Sequence, residues 1–331
     1  TFVLKPSERT PLTANLLGEL LMEAGVPAGV LNIVHGGREA VETLCTHPKV
    51  AAISFVGSTP VARRVYELGT ASGKRVQANG GAKNRMVIMP DADPAFAAAA
   101  VQAASFGCAG ERCMAGSVAV AVGREADRFV ETLKAAADRM VVGRTDLDGS
   151  RVDMGPVITR DHMARVIERI DAGTRCGKLV RDGRGVRVPD APNGFYVGPT
   201  IFDHVEPGSP LYEEEIFGPV LSVVRVGNLE EAIAHTNATG YGNGAVIFTN
   251  DGRAAREFKL RSNAGMVGIN VGVPAAMAFF PFAGWGDSFF GDLHIQGHEG
   301  VLFYTREKVT MTRWPEIGGG HRDSFSTPVQ R

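Results

Sequence analysis

The regular alternation of the first eighty residues constrains this chain more than any other feature. Short runs rich in β-branched and apolar residues occupy 1–5, 30–34, 50–56 and 75–78, and stretches with helical apolar spacing at 12–24, 38–46 and 59–68 separate them. VLNIV (30–34) and VAAISFV (50–56) are apolar almost throughout, where a strand with one wet face would alternate. Strands that read this way are covered on both faces, and strands separated by helices pair in parallel. The expected fold class is α/β, with a doubly wound parallel sheet.

A second α/β stretch follows. Asp93 has the chemistry of a helix cap, and Pro94 suits the first helical position. That helix runs to about residue 104 and delivers the chain to the loop FGCAGERC (106–113). Further helices are expected at 126–140, 162–172, 229–236 and 253–260, and strands at 85–89, 118–122, 220–226, 244–249 and 266–270. The runs 301–304 and 308–311 read as edge or interface strands. Residues 318–331 are rich in Gly, Ser and polar side chains and read as a poorly ordered tail. A length of 331 residues suits about two domains.

Charge and cysteine usage exclude several classes. Thirty-five Lys and Arg against 36 Asp and Glu leave a net charge of -1, which offers nothing to a nucleic acid. No apolar run approaches the ~20 residues that cross a bilayer, so no membrane association is expected. Cys45, Cys108, Cys113 and Cys176 form no CxxC pair and read as reduced thiols, which suits a cytoplasmic setting. His294 and His298 lie four apart, but Gly291 and Gly297 argue against a helix there and no third ligand is evident, so no metal is expected. The chain opens on Thr1 and enters a strand-like run at once, which reads as a chain cut at its N-terminus.

An ordered series of motifs then narrows the reading: LKPSE (4–8), FVGST (55–59), GAKN (81–84), GERCM (110–114), EEIFGPV (214–220), YGNGAVIFT (241–249) and GMVGIN (265–270). Together, from residue 4 to about 312, they resemble the aldehyde dehydrogenase superfamily. KRVQANGGAKN (74–84), GERCMA (110–115) and FAGWGDSFFGDLHIQG (282–297) resemble its CoA-acylating methylmalonate-semialdehyde dehydrogenases most. The resemblance implies four segments: the remainder of an NAD-binding domain (1–80), a catalytic domain (81–293), a return and oligomerisation segment (294–315) and a polar tail (316–331). It also implies a homotetramer and a missing upstream part that would hold the start of the coenzyme sheet.

Cys113 is the expected nucleophile. It lies in a Gly-bounded loop beside Arg112, and a guanidinium stabilises a thiolate. Arg112 has two candidate roles, lowering the Cys113 pKa or clamping a substrate carboxylate with its planar fork; the resemblance favours the clamp. Glu111 would oppose Arg112 to a degree set by which way it points. Cys108 reads as packing. Gly57 and Ser58 end a strand and open a helix, whose first amides suit a phosphate. By resemblance, Lys5 and Glu8 hold the adenosine ribose, and a carboxylate there favours NAD over NADP. By the same resemblance, Glu215 binds the nicotinamide ribose with Phe217 beside it.

Asn79 sets the subclass. Hydrolytic members carry a Glu there, and a carboxylate base activates water; Asn cannot take that proton. The expected reaction is therefore oxidation of methylmalonate or malonate semialdehyde to propionyl- or acetyl-CoA, through a cysteine thioester, with decarboxylation and transfer to coenzyme A. The alternatives are a hydrolytic NAD-dependent enzyme that releases a free acid, and an inactive fragment.

Overall fold

A computed structural model describes residues 1–147, 149, 151–312 and 314. The expected tail at 316–331 lies outside the described residues. The first part of the chain alternates as its pattern requires: β1 (Phe2–Leu4), α1 (Pro11–Glu23), β2 (Leu31–Ile33), α2 (Arg38–Thr46), β3 (Ala52–Val56), α3 (Thr59–Ala71) and β4 (Arg75–Asn79). The second part contains β5 (Asn84–Ile88), α4 (Pro94–Phe106), β6 (Gly116–Val122), α5 (Ala126–Asp138), α6 (Arg160–Gly173), β7 (Lys178–Arg181), β8 (Thr200–Asp203), α7 (Pro210–Glu213) and β9 (Val220–Val226). It continues through α8 (Leu229–Asn237), β10 (Tyr241–Gly242), β11 (Gly244–Phe248), α9 (Gly252–Arg261) and β12 (Met266–Ile269), and the chain returns through β13 (Trp285–Gly286), β14 (Phe289–Gly291) and α10 (Gly297–Tyr304).

A seven-stranded sheet of order β12-β11-β5-β6-β9-β8-β7 forms the centre. Its pairs are parallel except β7 on β8, which is antiparallel. Every residue of β5 and β11 is buried, as strands with both faces covered require. The strand period of two sorts the core into two layers. Met86, Ala119, Leu221 and Val246 face α4 and α5, with Val101, Phe129 and Leu133. Val87, Val120, Val224 and Ile247 face α6, α8 and α9, with Val166, Ile233 and Phe258. Asp93 caps α4 by accepting from Phe96 N–H at 2.7 Å, and Pro94 opens the helix.

The first eighty residues do not make one sheet. β1 and β2 form a parallel pair, while β3 pairs in parallel with β4 in a separate sheet. β14 adds antiparallel to β4, Phe289 opposite Asn79. Residues 289–291 thus return to the sheet that β3 and β4 begin. A small core of Cys45, Ala62, Val65, Val76 and Ala78 holds that sheet to α2 and α3. On α1, Leu12, Leu16, Leu17, Leu20 and Met22 are all more than half exposed.

Two further expectations are corrected. Residues 301–304 are helical, within α10, and 308–311 carry no regular structure. Only Phe303 of that helix is buried, and a run as short as VLFY carries no periodicity that separates strand from helix. β7 and β8 were not anticipated from the sequence: both are four residues long, shorter than the windows on which period-based reading relies.

Candidate active site

The loop after α4 places Cys113 by means of glycine and two asparagines. α4 ends at Phe106, and Cys108 and Ala109 follow in the left-handed region, each at φ 53°. Gly110 continues there at φ 70°, and a Cβ on it would strike the Gly218 carbonyl, so only glycine fits. The Cys113 carbonyl then accepts from Asn84 Nδ2 at 2.9 Å and Asn243 Nδ2 at 3.0 Å. Asn84 Oδ1 accepts from Gly244 N–H at 2.9 Å, which joins β5, β11 and the nucleophile loop in one network. Asn84 and Asn243 were not singled out from the sequence, although both lie inside quoted motifs, GAKN and YGNG.

Cys113 is half-buried and unpaired, and lines a cleft with Lys83, Arg112, Glu215 and Phe217. Burial pushes its thiol above the ordinary cysteine range; Glu215 adds to the rise, and Arg112 opposes both only weakly. The expected acidifying neighbour is thus outweighed. Arg112 Nη2 donates to the carbonyls of Ala103 at 2.6 Å and Ala104 at 3.0 Å, closing the last turn of α4, while its Nε is buried without a partner. Glu111 turns elsewhere: its Oε1 accepts from Ile158 N–H at 3.2 Å and lies 3.3 Å from His162 Nε2.

Glu215 and Phe217 come to the same cleft on the segment between α7 and β9. Glu215 Oε1 accepts from Ala82 N–H at 2.9 Å, and Oε2 packs against Gly81 where a Cβ would collide. Burial raises the Glu215 carboxyl, against the lowering effect of Ala82 N–H and Lys83. Lys83 Nζ donates to Glu214 O at 2.7 Å, and burial together with the neighbouring Arg85 brings its pKa down to about 7. Phe217 sits at φ 55° and remains partly exposed.

Asn79 ends β4, is 4% exposed, and donates from Nδ2 to Phe55 O at 3.4 Å. Its Oδ1 is buried without a partner, and it does not line the Cys113 cleft. The four residues 79–82 nonetheless connect the two expected coenzyme regions. Gly57 N–H donates to Asn79 O at 3.1 Å, Gly81 N–H to Thr59 Oγ1 at 2.8 Å, and Ala82 N–H to Glu215. Ser58 occupies the N-cap position of α3 without capping it through its side chain, which leaves first-turn amides available to an anion. Lys5 Nζ donates to Pro6 O and Gly36 O and lies 3.6 Å from Glu8 Oε2. An uncapped helix start, a Lys–Glu pair, and a partly buried carboxylate with an aromatic neighbour form a donor set that fits an extended dinucleotide. Elsewhere, His294 Nδ1 lies 2.9 Å from Glu299 Oε2 and its ring stacks on Phe289. Among the described residues no group of three His, Cys, Asp or Glu converges on a metal position, and no helix is long and apolar enough to cross a membrane.

This geometry agrees with sequence comparison. Residues 1–310 match the aldehyde dehydrogenase family, and the chain belongs to it. Malonate-semialdehyde dehydrogenase 2 of Geobacillus thermodenitrificans (strain NG80-2) is 55% identical over 314 residues, which cover 95% of this chain and 64% of that protein. The methylmalonate-semialdehyde dehydrogenase of Oceanimonas doudoroffii superposes with a TM-score of 0.93 at 49% identity, over 96% of this chain and 65% of that one. A Sinorhizobium meliloti 1021 protein assigned to the same enzyme type, solved in complex with NAD, also gives 0.93, at 48% identity and the same coverage. The chain thus spans just under two thirds of the length of these relatives.

Proposed function

We propose that the protein of which this chain is a part oxidises malonate or methylmalonate semialdehyde with NAD and transfers the product acyl group to coenzyme A. The observation that carries this is the single cleft shared by Cys113, Glu215 and Phe217, with the Cys113 carbonyl held by Asn84 and Asn243.

In this reading the Cys113 thiolate adds to the aldehyde carbon, and the carbonyl oxygen takes a proton to give a thiohemiacetal on Sγ. NAD, when bound, supplies the hydride acceptor. Glu215, fixed by Ala82 N–H, binds the nicotinamide ribose, and Phe217 borders the ring; Gly57, Ser58 and the α3 amides meet the pyrophosphate, with Lys5 and Glu8 at the adenosine end. Arg112 holds the substrate carboxylate with the part of its fork other than Nη2, which is engaged by the Ala103 and Ala104 carbonyls. Loss of hydride and of the hydroxyl proton leaves an acyl thioester on Sγ. The carboxylate β to the thioester carbonyl leaves as CO₂, and the α-carbon that carried it takes a proton. Coenzyme A thiolate then attacks the acyl carbon, and the Cys113 thiolate leaves. By family resemblance we infer a homotetramer.

Asn79 makes water a poor acceptor for that acyl group. A positioned base contributes ~10²–10⁴-fold to such a step, and an amide supplies none. The test is steady-state turnover of full-length protein with semialdehyde and NAD while coenzyme A is varied from zero. A burst of NADH of about one per site, then a slow phase that coenzyme A accelerates strongly, supports the proposal. A rate and free-acid yield that do not respond to coenzyme A refute it and favour hydrolysis.

A further inference from the structure

Gly107 closes α4 as its C-cap at φ -55° and ψ 138°, an ordinary extended conformation that any residue adopts. The backbone therefore does not call for glycine there. The space around it does. A Cβ on residue 107 would stand 2.8 Å from Arg112 Nη2, 3.1 Å from Cζ and 3.3 Å from Nη1. These three atoms are the head of the guanidinium, so the bare Gly107 Cα is the surface against which that head lies. Nη2 is fastened in this position by the carbonyls of Ala103 and Ala104, at 2.6 and 3.0 Å, in the last turn of the same helix.

Gly110 is different, because there a Cβ meets the backbone carbonyl of Gly218. At Gly107 the obstacle is the end of a flexible side chain, so an added methyl group displaces the guanidinium and leaves the loop its course. Arg112 lines the Cys113 cleft and Gly107 does not, so residue 107 reaches a substrate only through the arginine. A planar fork selects a carboxylate only while its orientation is fixed. We propose that Gly107 is a positioning residue for substrate specificity: it leaves the gap into which the Arg112 guanidinium folds, and so aims the rest of the fork at the acid group of an aldehyde held at Cys113. The proposal rests on the reading of Arg112 as the carboxylate clamp.

The experiment compares full-length protein with its Gly107→Ala and Arg112→Ala variants and with the pair. The main readout is the ratio of Cys113 alkylation rates by iodoacetate and by iodoacetamide without coenzyme, followed at Cys113 by peptide mass spectrometry. The two reagents differ in charge. A change in thiolate fraction or thiol exposure cancels in the ratio, so a merely structural disturbance does not move it. Arg112→Ala should lower the ratio about tenfold, the scale of one charge-assisted hydrogen bond. Gly107→Ala should lower it about threefold to tenfold, and the pair no further than Arg112→Ala alone, because residue 107 acts through the guanidinium. In turnover, Gly107→Ala should raise KM for malonate semialdehyde more than for uncharged propanal. Thermal unfolding reports the contact itself: Gly107→Ala should lower Tm with Arg112 present and much less without it. The proposal is overturned if Arg112→Ala lowers the ratio while Gly107→Ala leaves it within twofold. It is equally overturned if Gly107→Ala changes the ratio and Tm as much without Arg112 as with it, or prevents folding in both cases. A ratio that Arg112→Ala does not change would instead remove the carboxylate reading, while the Tm values would still show whether Gly107 seats the guanidinium.

Discussion

The seven-stranded sheet is covered on both faces by helices, whereas the strands of the first eighty residues fall into two separate sheets and α1 leaves a row of leucines exposed. The difference extends to how functional groups are placed. Around Cys113 the contacts come from distant sequence: Asn84 and Asn243 hold its carbonyl, and Gly110 packs against the Gly218 carbonyl. Around Gly57 and Ser58 the placement is local, a strand end followed by a helix start, with residues 79–82 as the main long-range partner. A nucleophile must be held within a fraction of an ångström of its productive position, and long-range bonds to rigid strands provide that. An anion that meets helix amides needs only the helix.

The strongest way to break this contrast is at the nucleophile. Cys113→Ala in full-length protein should abolish NADH formation and leave the Kd for NAD nearly unchanged, because the two functions sit in differently built regions. Cys108→Ala should cost far less. Appreciable turnover by Cys113→Ala sinks the assignment. The same thiol gives a pH test: burial favours its neutral form, so its alkylation should follow a thiolate titration with a midpoint above the ~8.5 of a free cysteine. A midpoint below that value would mean that the backbone N–H groups of Cys113 and Met114, with Arg112, outweigh burial.

Gly110→Ala is next in size. The added Cβ meets the Gly218 carbonyl in a buried position at φ 70°, so a loss of about 2–4 kcal/mol in thermal or denaturant unfolding is expected, together with displacement of Cys113. Gly25→Ala is the control from the other region. It has φ 94° but open space around it, and should cost only about 1 kcal/mol. Equal costs at the two positions would show that backbone strain alone, and not the Gly218 contact, fixes the loop.

A smaller effect is expected at the exposed end of the coenzyme region. Glu8 is mostly solvent-accessible and lies 3.6 Å from Lys5. NAD should be used in preference to NADP, since a 2′-phosphate would face this carboxylate. Glu8→Gln should narrow the preference by about threefold to tenfold at low salt and less at high salt, as for any exposed charge. Equal specificity constants in the unmutated enzyme would remove Glu8 from this role.

What was legible in the sequence follows the same division. The helices and strands that carry a full period were visible, and so were the Asp93 cap and the motif positions of Cys113, Glu215 and Phe217. Side-chain direction was not. Glu111 and Arg112 flank the nucleophile in sequence, yet one turns to His162 and the other to the end of α4. His162 carried no signal, because Glu111 and Phe217 lie in segments remote from it in the chain. β14 was hidden for a related reason: its three residues gain meaning only from β4, which precedes them by some two hundred positions.

The smallest effect distinguishes strain from contact within the nucleophile loop itself. Cys108 is exposed and sits at φ 53°. A left-handed conformation costs a side-chain-bearing residue roughly 1–2 kcal/mol. Glycine would remove that cost, but it adds conformational freedom to the unfolded chain worth about 0.5–1 kcal/mol. Cys108→Gly should therefore raise stability by no more than about 1.5 kcal/mol, with no buried surface lost. Cys113 should keep its alkylation rate, because Asn84 and Asn243 hold its carbonyl independently of residue 108. A loss of stability greater than about 1 kcal/mol would show that the Cys108 side chain makes a contact worth more than its backbone strain. An unchanged stability with altered Cys113 reactivity would show instead that the left-handed turn at 108–109 helps to aim the nucleophile, and that the two asparagines do not suffice.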